Sequence, residues 1–409
     1  MFSRFVWCIL IIFSGASFSA FGALSFQTIN QLMDHVESQS PEIQKAKLNF
    51  EVVEARRVQA AQIPNPEVAL GSWSGKANSQ KWKQTDITIV QPIELGGKRS
   101  SRIEVAEAEA KAAKVELLAL SAETRLKLLF SMYRMRQLND EIEFLIEAKH
   151  TFGNLVKNYR KRPQLSPEQS TSVFVFDLTE KEYELLLEEA QTELNFLESD
   201  FKVMTAIQPE DVKNLLPPRS KKWPVANGTG ELNSPSLRVL SARTELSEKE
   251  LSLAKADVWP TISIGPSYTM QNQFGEQANI LGVVVSLPLP ILNQNNGAKE
   301  LAAKSIVANR RFMEVEKTIL GARRFSLVRS YNSSSRLLES QWNQSNLHKE
   351  HERVEQNFLK GLISSPLVIE SHRQYVDAQK LYHSRELKAL DYYYQLLLLE
   401  GGKIEGLNL

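Results

Sequence analysis

Two histidines offer the first hint of chemistry. His348-Lys349-Glu350-His351 sets two imidazoles three residues apart, a spacing that places both on one helix face, as a metal pair requires. No third ligand follows at the spacing of the zinc-hydrolase motifs: neither His-Glu-x-x-His nor His-x-x-Glu-His occurs. The pair is therefore read as a solvated helix face, with no metal ligand assigned. Gly401-Gly402-Lys403 lacks the upstream glycine and the preceding strand of a phosphate loop. Tyr392-Tyr393-Tyr394 reads as helix packing, and no Ser-His-Asp set or paired carboxylate stands out. The expectation is no catalytic residue, no cofactor and no enzyme. One charged group remains. Lys157, Arg160, Lys161 and Arg162 crowd the end of a helical pattern, where cations suit the helix dipole and could also dock a partner.

The elements that would position such residues begin after an export signal. Arg4 supplies a positive start, Phe5 to Phe13 an apolar core, and Ser17-Phe18-Ser19 and Ala20-Phe21-Gly22 two small-residue cleavage sites, so 1–22 reads as a signal peptide. The apolar core is shorter than the roughly 20 residues of a spanning helix, which favours cleavage over anchoring. Cys8, the only cysteine, lies inside it, so disulfides and thiolate ligands are excluded from the mature chain. With 49 basic and 48 acidic residues, the chain has no basic bias of the kind that nucleic acid demands. No later run is apolar enough for a transmembrane helix, so any membrane insertion must use strands.

The chain reads as a duplication. Pro41 and Pro235 open short helices, Pro64 and Pro260 follow them, Pro92 and Pro288 end strand-like runs, and Pro167 and Pro366 follow helix breaks. These pairs lie 194, 196, 196 and 199 residues apart, and four breaks in one order are hard to obtain by chance. The expected division is a first repeat over 23–207, with strands about 67–91 and long helices about 97–162 and 166–206. An irregular equatorial connector over 208–233 follows, broken by Pro209, Pro217, Pro218 and Pro224. The second repeat covers 234–400, with strands about 260–287 and helices about 296–360 and 366–400. A loose tail closes the chain at 401–409.

Tyr183, Leu187, Ala190, Leu194, Leu197, Phe201 and Met204 alternate in steps of four and three, the rhythm of a coiled-coil seam. Met135, Leu138, Ile142 and Leu145 carry it in the preceding helix, on through Lys149 to Phe152, Val156 and Tyr159. Tyr375, Ala378 and Tyr382 carry it near the C-terminus, with Arg385 as an interruption before Ala389, Tyr392, Leu396 and Leu399. The strand segments alternate with period two: Leu281, Val283, Val285 and Leu287 against Gly282, Val284 and Ser286, and Ile87 and Ile89 against Asp86 and Thr88. Runs of about ten residues, apolar on one side and small or polar on the other, suit a lipid-facing, water-lined barrel. Trp73, Trp82, Tyr268 and Phe274 are expected near strand ends, at the membrane interfaces. Four strands cannot close a barrel, which needs about eight, so several chains must combine, and three would supply twelve.

These features resemble the outer-membrane factor (TolC) family across the whole mature chain. Gln91-Pro92-Ile93-Glu94-Leu95-Gly96-Gly97-Lys98-Arg99 is similar to the strand-to-helix junction of its heavy-metal RND efflux branch, that of CzcC. Phe358 to Ala378 resembles the family's helix-turn-helix tip, with Gly361 in place and Glu370-Ser371 where the acidic pair begins, whereas the first tip carries Pro163 instead. The resemblance implies a mainly α fold with a small β part: long-helix coiled-coil hairpins forming a trimeric α-barrel, with a shared 12-stranded transmembrane β-barrel. It implies a homotrimer in the outer membrane of a Gram-negative cell, reaching into the periplasm. Its partners would be outer-membrane lipid, a periplasmic adaptor and an inner-membrane RND transporter. Its role would be a passive export duct for heavy-metal cations. The tips expected to meet the adaptor are Gln164, Leu165, Ser166 and Pro167, and Gly361, Leu362, Ile363, Ser364, Ser365 and Pro366; the junction residues are Pro92, Gly96, Gly97 and Pro288. Two alternatives stay open: a duct for type I protein or drug export, and a periplasmic coiled-coil adaptor or scaffold without a pore.

Overall fold

The computed structural model describes residues 26–77, 80–220, 222–273, 276–341 and 344–405. The expected signal peptide, Phe274 and the end of the expected tail lie outside these residues, as does the side chain of His348. Proline and small polar residues start the helices. Thr28 caps α1 (Ile29–Gln39) by accepting from the Gln31 N–H, and Pro41 opens α2 (Pro41–Ala60), its missing donor harmless in a first turn. A hairpin of β1 (Glu67–Ala77) and β2 (Gln80–Glu94) leads into α3 (Lys98–Arg160), whose 63 residues extend about 95 Å. α4 (Pro167–Thr205) returns alongside it, and a 3-10 turn (Pro209–Leu215) begins the connector. The order then recurs: α5 (Pro235–Ala256), β3 (Thr261–Gln273), β4 (Glu276–Ser286), α6 (Asn296–Gln341), α7 (Gln344–Leu359) and α8 (Ser365–Leu399). Among the described residues no helix is long and apolar enough to cross a membrane.

The turns that lead into α3 and α6 both use the left-handed backbone region. Gly96 and Gly97 have φ of 69° and 72°, and Asn295, just before α6, has φ of 54°. Gly97 and Asn295 are 198 residues apart, so the two halves turn on equivalent residues. At Gly96 space is decisive as well, because a Cβ there would lie 2.2 Å from the Trp259 ring.

The four strands form one antiparallel sheet in the order β1-β2-β3-β4, so β2 and β3 join the two halves. Opposed residues share a face, and the register sorts most of them by polarity, with Trp73, Trp82, Ile280 and Val284 as exceptions. Leu70, Ile87, Tyr268 and Leu281 form one cross-strand row, and Val68 and Ile89 continue that face on β1 and β2, as Val283 does on β4. The other face carries Ala69, Thr88, Ser267 and Gly282, then Gly71, Asp86, Thr269 and Ile280. The β2–β3 ladder is interrupted between Thr88–Ser267 and Gln91–Ile264, where Pro266 offers no N–H. Gly265 lets the backbones close up there, since a Cβ would lie 1.8 Å from the Ile89 carbonyl oxygen.

Three expectations need correction. The tail is not loose as far as Glu405: Ile404 is buried in the core and the Tyr394 hydroxyl donates to the Glu405 carbonyl at 3.0 Å. Pro92 does not end its strand: β2 runs to Glu94, with Pro92 opposite Ser263. β1 begins opposite Val90, so past that residue β2 is paired on one side only, a position that tolerates proline. Tyr268 stands mid-strand in the apolar row rather than at a strand end, because β3 continues to Gln273, and Trp73 stands mid-strand in β1 and, with Trp82, on the opposite face.

The helices close over cores that follow the heptad seams. Leu138, Leu145, Phe152, Val156, Phe176 and Tyr183 are buried together between α3 and α4. Leu128, Met132, Tyr133, Phe201, Tyr331, Ala389 and Tyr394 form a second cluster, which the connector covers with Val212, Trp223 and Ala226.

Candidate functional site: helical tips and a buried polar girdle

The two helix breaks are built differently. In the first, Ser166 closes a reciprocal cap: its hydroxyl accepts from the Gln169 N–H at 3.2 Å, and its own N–H donates to Gln169 Oε1 at 3.1 Å. Pro167 then occupies the first turn of α4. In the second, Gly361 adopts φ of 72° and donates to Phe358 O at 2.8 Å, while the Leu362 N–H reaches Asn357 O at 2.9 Å. This is the glycine-terminated helix end expected from Gly361. Ser364 precedes α8 without a side-chain cap bond.

The helices that leave the two turns flank one groove of about 480 Å³, lined by Glu168, Thr171, Ser172 and Val175 of α4 and by Ser365, Pro366, Ile369 and Glu370 of α8. Of the expected tip residues, Ser365 and Pro366 line it. Leu165 and Ile363 turn inward onto the Phe152–Phe176 cluster. Gln164, Ser166, Pro167, Gly361, Leu362 and Ser364 are exposed in the turns. The basic group is partly engaged: Arg160 pairs with Asp177 at 3.1 Å, Lys181 pairs with the same carboxylate at 3.0 Å, and the Arg162 guanidinium sits 4.5 Å from the Tyr159 ring centre. Lys157 and Lys161 are exposed.

Higher along the hairpins lies a girdle that the apolar periodicity did not disclose. His383 on α8 is buried between two helices and the connector. Its Nε2 accepts from Arg219 Nη2 at 3.0 Å, which leaves Nδ1–H to donate to Glu141 Oε1 at 2.7 Å and fixes the neutral tautomer. Arg134 reaches Glu141 at 2.9 Å and grips Glu193 on α4 with two bonds of 2.7 Å. Arg219 also pairs with Asp140 at 3.0 Å. Glu386, fully buried, accepts from Arg136 and, at 2.7 Å, from Gln137. Burial pushes the Glu141 carboxyl up, but the His383 hydrogen bond and the Arg134 charge outweigh it and hold the group below its ordinary range. The signal was present in the sequence. His372, Gln379, His383 and Glu386 advance in steps of seven, four and three, the seam rhythm written in polar residues.

The arrangement holds charges in place beside a groove of about 340 Å³ lined by Arg134, Glu141 and Glu193, and the fold's match lies among membrane channels. The chain superposes on the outer-membrane channel OprN with a TM-score of 0.70 at 15% identity, over 91% of this chain and 90% of that one. This is the fold of an outer-membrane channel subunit. The channel CmeC of Campylobacter jejuni gives 0.70 at 11% identity, over 93% and 87%. CusC, whose structures concern folding and transmembrane channel formation, gives 0.65 at 12%, over 94% and 96%. Residues 32–163, which run from α1 to the first tip of this channel fold, match the family described as outer membrane efflux protein. No curated protein matches the chain by sequence.

Proposed function

We propose that this chain is one third of an outer-membrane efflux channel, a passive duct and not an enzyme. The supporting observation is the two-faced sheet. One face presents Leu70, Leu281 and Val283, which are 74%, 82% and 74% exposed on the single chain, and the other presents chiefly small and polar residues, with Trp73, Trp82, Ile280 and Val284 among them. Such a sheet suits lipid on one side and water on the other. Among the described residues β1 and β4 each have one unpaired edge, and lipid tolerates no open edge. Joining β4 of one copy to β1 of the next removes both, and three copies of four strands give a barrel of twelve. In this reading 1–22 is removed on export, 23–207 and 234–400 are the two repeats, and 208–233 belts the helical tube.

The tube would descend through the periplasm. Its tips, with the groove between α4 and α8, would meet a periplasmic adaptor joined to an inner-membrane RND transporter that supplies the energy. The Leu95-Gly96-Gly97-Lys98 junction, with both glycines in the left-handed region, favours heavy-metal cations as cargo over proteins or drugs. A scaffold without a pore would leave the apolar sheet face without a use.

Heat-modifiable trimers in detergent and stepwise conductance in planar bilayers are the expected outcome; a soluble, non-conducting monomer would remove the channel reading. Cargo is tested separately, by the sensitivity of a deletion strain to copper, zinc, cobalt and nickel. Unchanged resistance to all four would sink the metal assignment and leave the duct.

A further inference from the structure

His351 has a partner that its own helix could not reveal. His351 and Glu355 stand one turn apart on α7, and His372 faces them from α8 across the second tip. The ligand-capable atoms of the three all lie within 4.8 Å of one another. His351 and His372 are buried, their ring centres 4.3 Å apart, while the Glu355 side chain keeps 24% of its surface open as a route in for an ion.

The hydrogen bonds at His372 leave room for one positive charge. The Val368 carbonyl can only accept, so His372 Nδ1, 2.9 Å away, carries the hydrogen. That puts the lone pair on Nε2, which faces Glu355 Oε1 at 2.9 Å, and a carboxylate oxygen is itself an acceptor. Nε2 and Oε1 therefore present two lone pairs to one point, as a metal ion requires. A ligating histidine characteristically donates its other ring N–H to a backbone carbonyl, and a ligating carboxylate is itself hydrogen-bonded. Both supports are present, because Thr151 on α3 donates to Glu355 Oε1 at 3.2 Å. The Phe152 ring, 5.0 Å from His372, and the Tyr375 ring, stacked 4.5 Å from His351, wall the cluster with apolar surface.

We propose that His351, Glu355 and His372 bind one divalent transition-metal ion of the zinc class, with water in the fourth position, and that the ion staples α7 to α8 beside the second tip. Two imidazoles and a carboxylate are a recurrent zinc ligand set, with bonds of about 2.0–2.1 Å, so the three side chains would draw together on the ion. The inference concerns this chain alone and stands whether or not the channel carries metals.

The test uses the full chain, purified in detergent and stripped with EDTA, with Zn²⁺ titrated against a chromogenic chelator and Co²⁺ followed by its visible absorption. One Zn²⁺ per chain is expected, together with a Co²⁺ band of low-coordinate intensity and no competition from Mg²⁺ or Ca²⁺. Glu355→Gln keeps shape and His372→Gln keeps a polar side chain; each should weaken Zn²⁺ about 100-fold or more, and Thr151→Val about 10-fold. Zn²⁺ should raise Tm in the wild type and leave both Gln variants unmoved, which separates lost binding from lost folding. Equal binding by wild type and both Gln variants would overturn the site, as would wild-type uptake no greater than theirs. Displacement of Zn²⁺ by Ca²⁺ or Mg²⁺ would overturn the zinc class.

Discussion

The two hairpins share a plan and differ in what they bury. α3 and α4 meet on an apolar seam in which Phe152 stacks on Tyr183 at 5.7 Å and contacts Phe176 at 5.9 Å. α8, which follows the second helix break as α4 follows the first, buries His372, Gln379, His383 and Glu386 along its seam. Equivalent turns and equivalent breaks therefore did not require an equivalent core. Apolar side chains tolerate sliding, because burial is non-directional. Buried charges do not, since each must meet its partner at bonding distance in a low dielectric. On this view the apolar α3–α4 seam supplies cohesion, and the girdle shared by α3, α8 and the connector specifies how α8 is rotated against the other two.

The largest test strikes the best-buried charge. Glu386→Ala leaves Arg136 buried without its carboxylate and should cost about 3–5 kcal/mol in chemical denaturation. Replacing both, as Arg136→Met with Glu386→Leu, should recover most of that loss, since a well-packed apolar pair is often neutral or better. The comparison breaks if the double variant stays as unstable as the single one while keeping the wild-type fold. A smaller effect is expected at Glu141. Its carboxyl is held below the ordinary range in the folded chain, so the stability it adds is present above that range and is lost as pH falls through the depressed value. Glu141→Gln should cost about 1.5–3 kcal/mol at neutral pH and flatten the acid limb of the stability curve, read from denaturation midpoints between neutral pH and strong acid. An unchanged acid limb would assign that limb to other carboxylates.

The fold was legible because its signals are repetitive and local. Prolines mark the breaks, Gly96-Gly97 mark the start of one long helix, and the period-two runs at 281–287 and 87–89 mark strands. Seam positions such as Tyr183, Phe201, Phe152 and Ala389 are buried as the heptad rhythm requires. What escaped depends on contacts distant in sequence. Arg385 reads as the polar break in the α8 seam, yet it is Glu386 and His383 that point inward, and their partners Arg136, Glu141 and Arg219 lie 164 to 250 residues away. His351 offers its nearest sequence neighbour His348 as a metal partner, whereas the geometry pairs it with Glu355 and with His372 on another helix. Tyr268 looked interfacial from its aromatic type alone, and only the register placed it mid-sheet.

Smaller effects separate the two turns that lead into α3 and α6. Gly97→Ala forces a side chain into the left-handed region and should cost about 1–2 kcal/mol. Asn295→Gly relaxes the equivalent residue and should be neutral or slightly stabilising, unless its bond from Nδ2 to Ala254 O, 3.0 Å long, matters more than backbone freedom. Melting of the two variants side by side measures the difference.

The smallest contrast lies at the tips. Ser166→Ala removes one side of a closed capping box and should cost about 1 kcal/mol, visible as faster amide exchange in the first turn of α4. Ser364→Ala removes a hydroxyl that caps nothing, so exchange at the start of α8 should stay within error of wild type. Amide exchange reports local opening, and the two helix starts then differ in how cheaply they fray. A tip that frays more readily can be reshaped by a partner with less loss of binding energy to ordering. If Ser364→Ala loosens α8 as much as Ser166→Ala loosens α4, the two tips are equally fixed, and the asymmetry between the hairpins ends at the girdle.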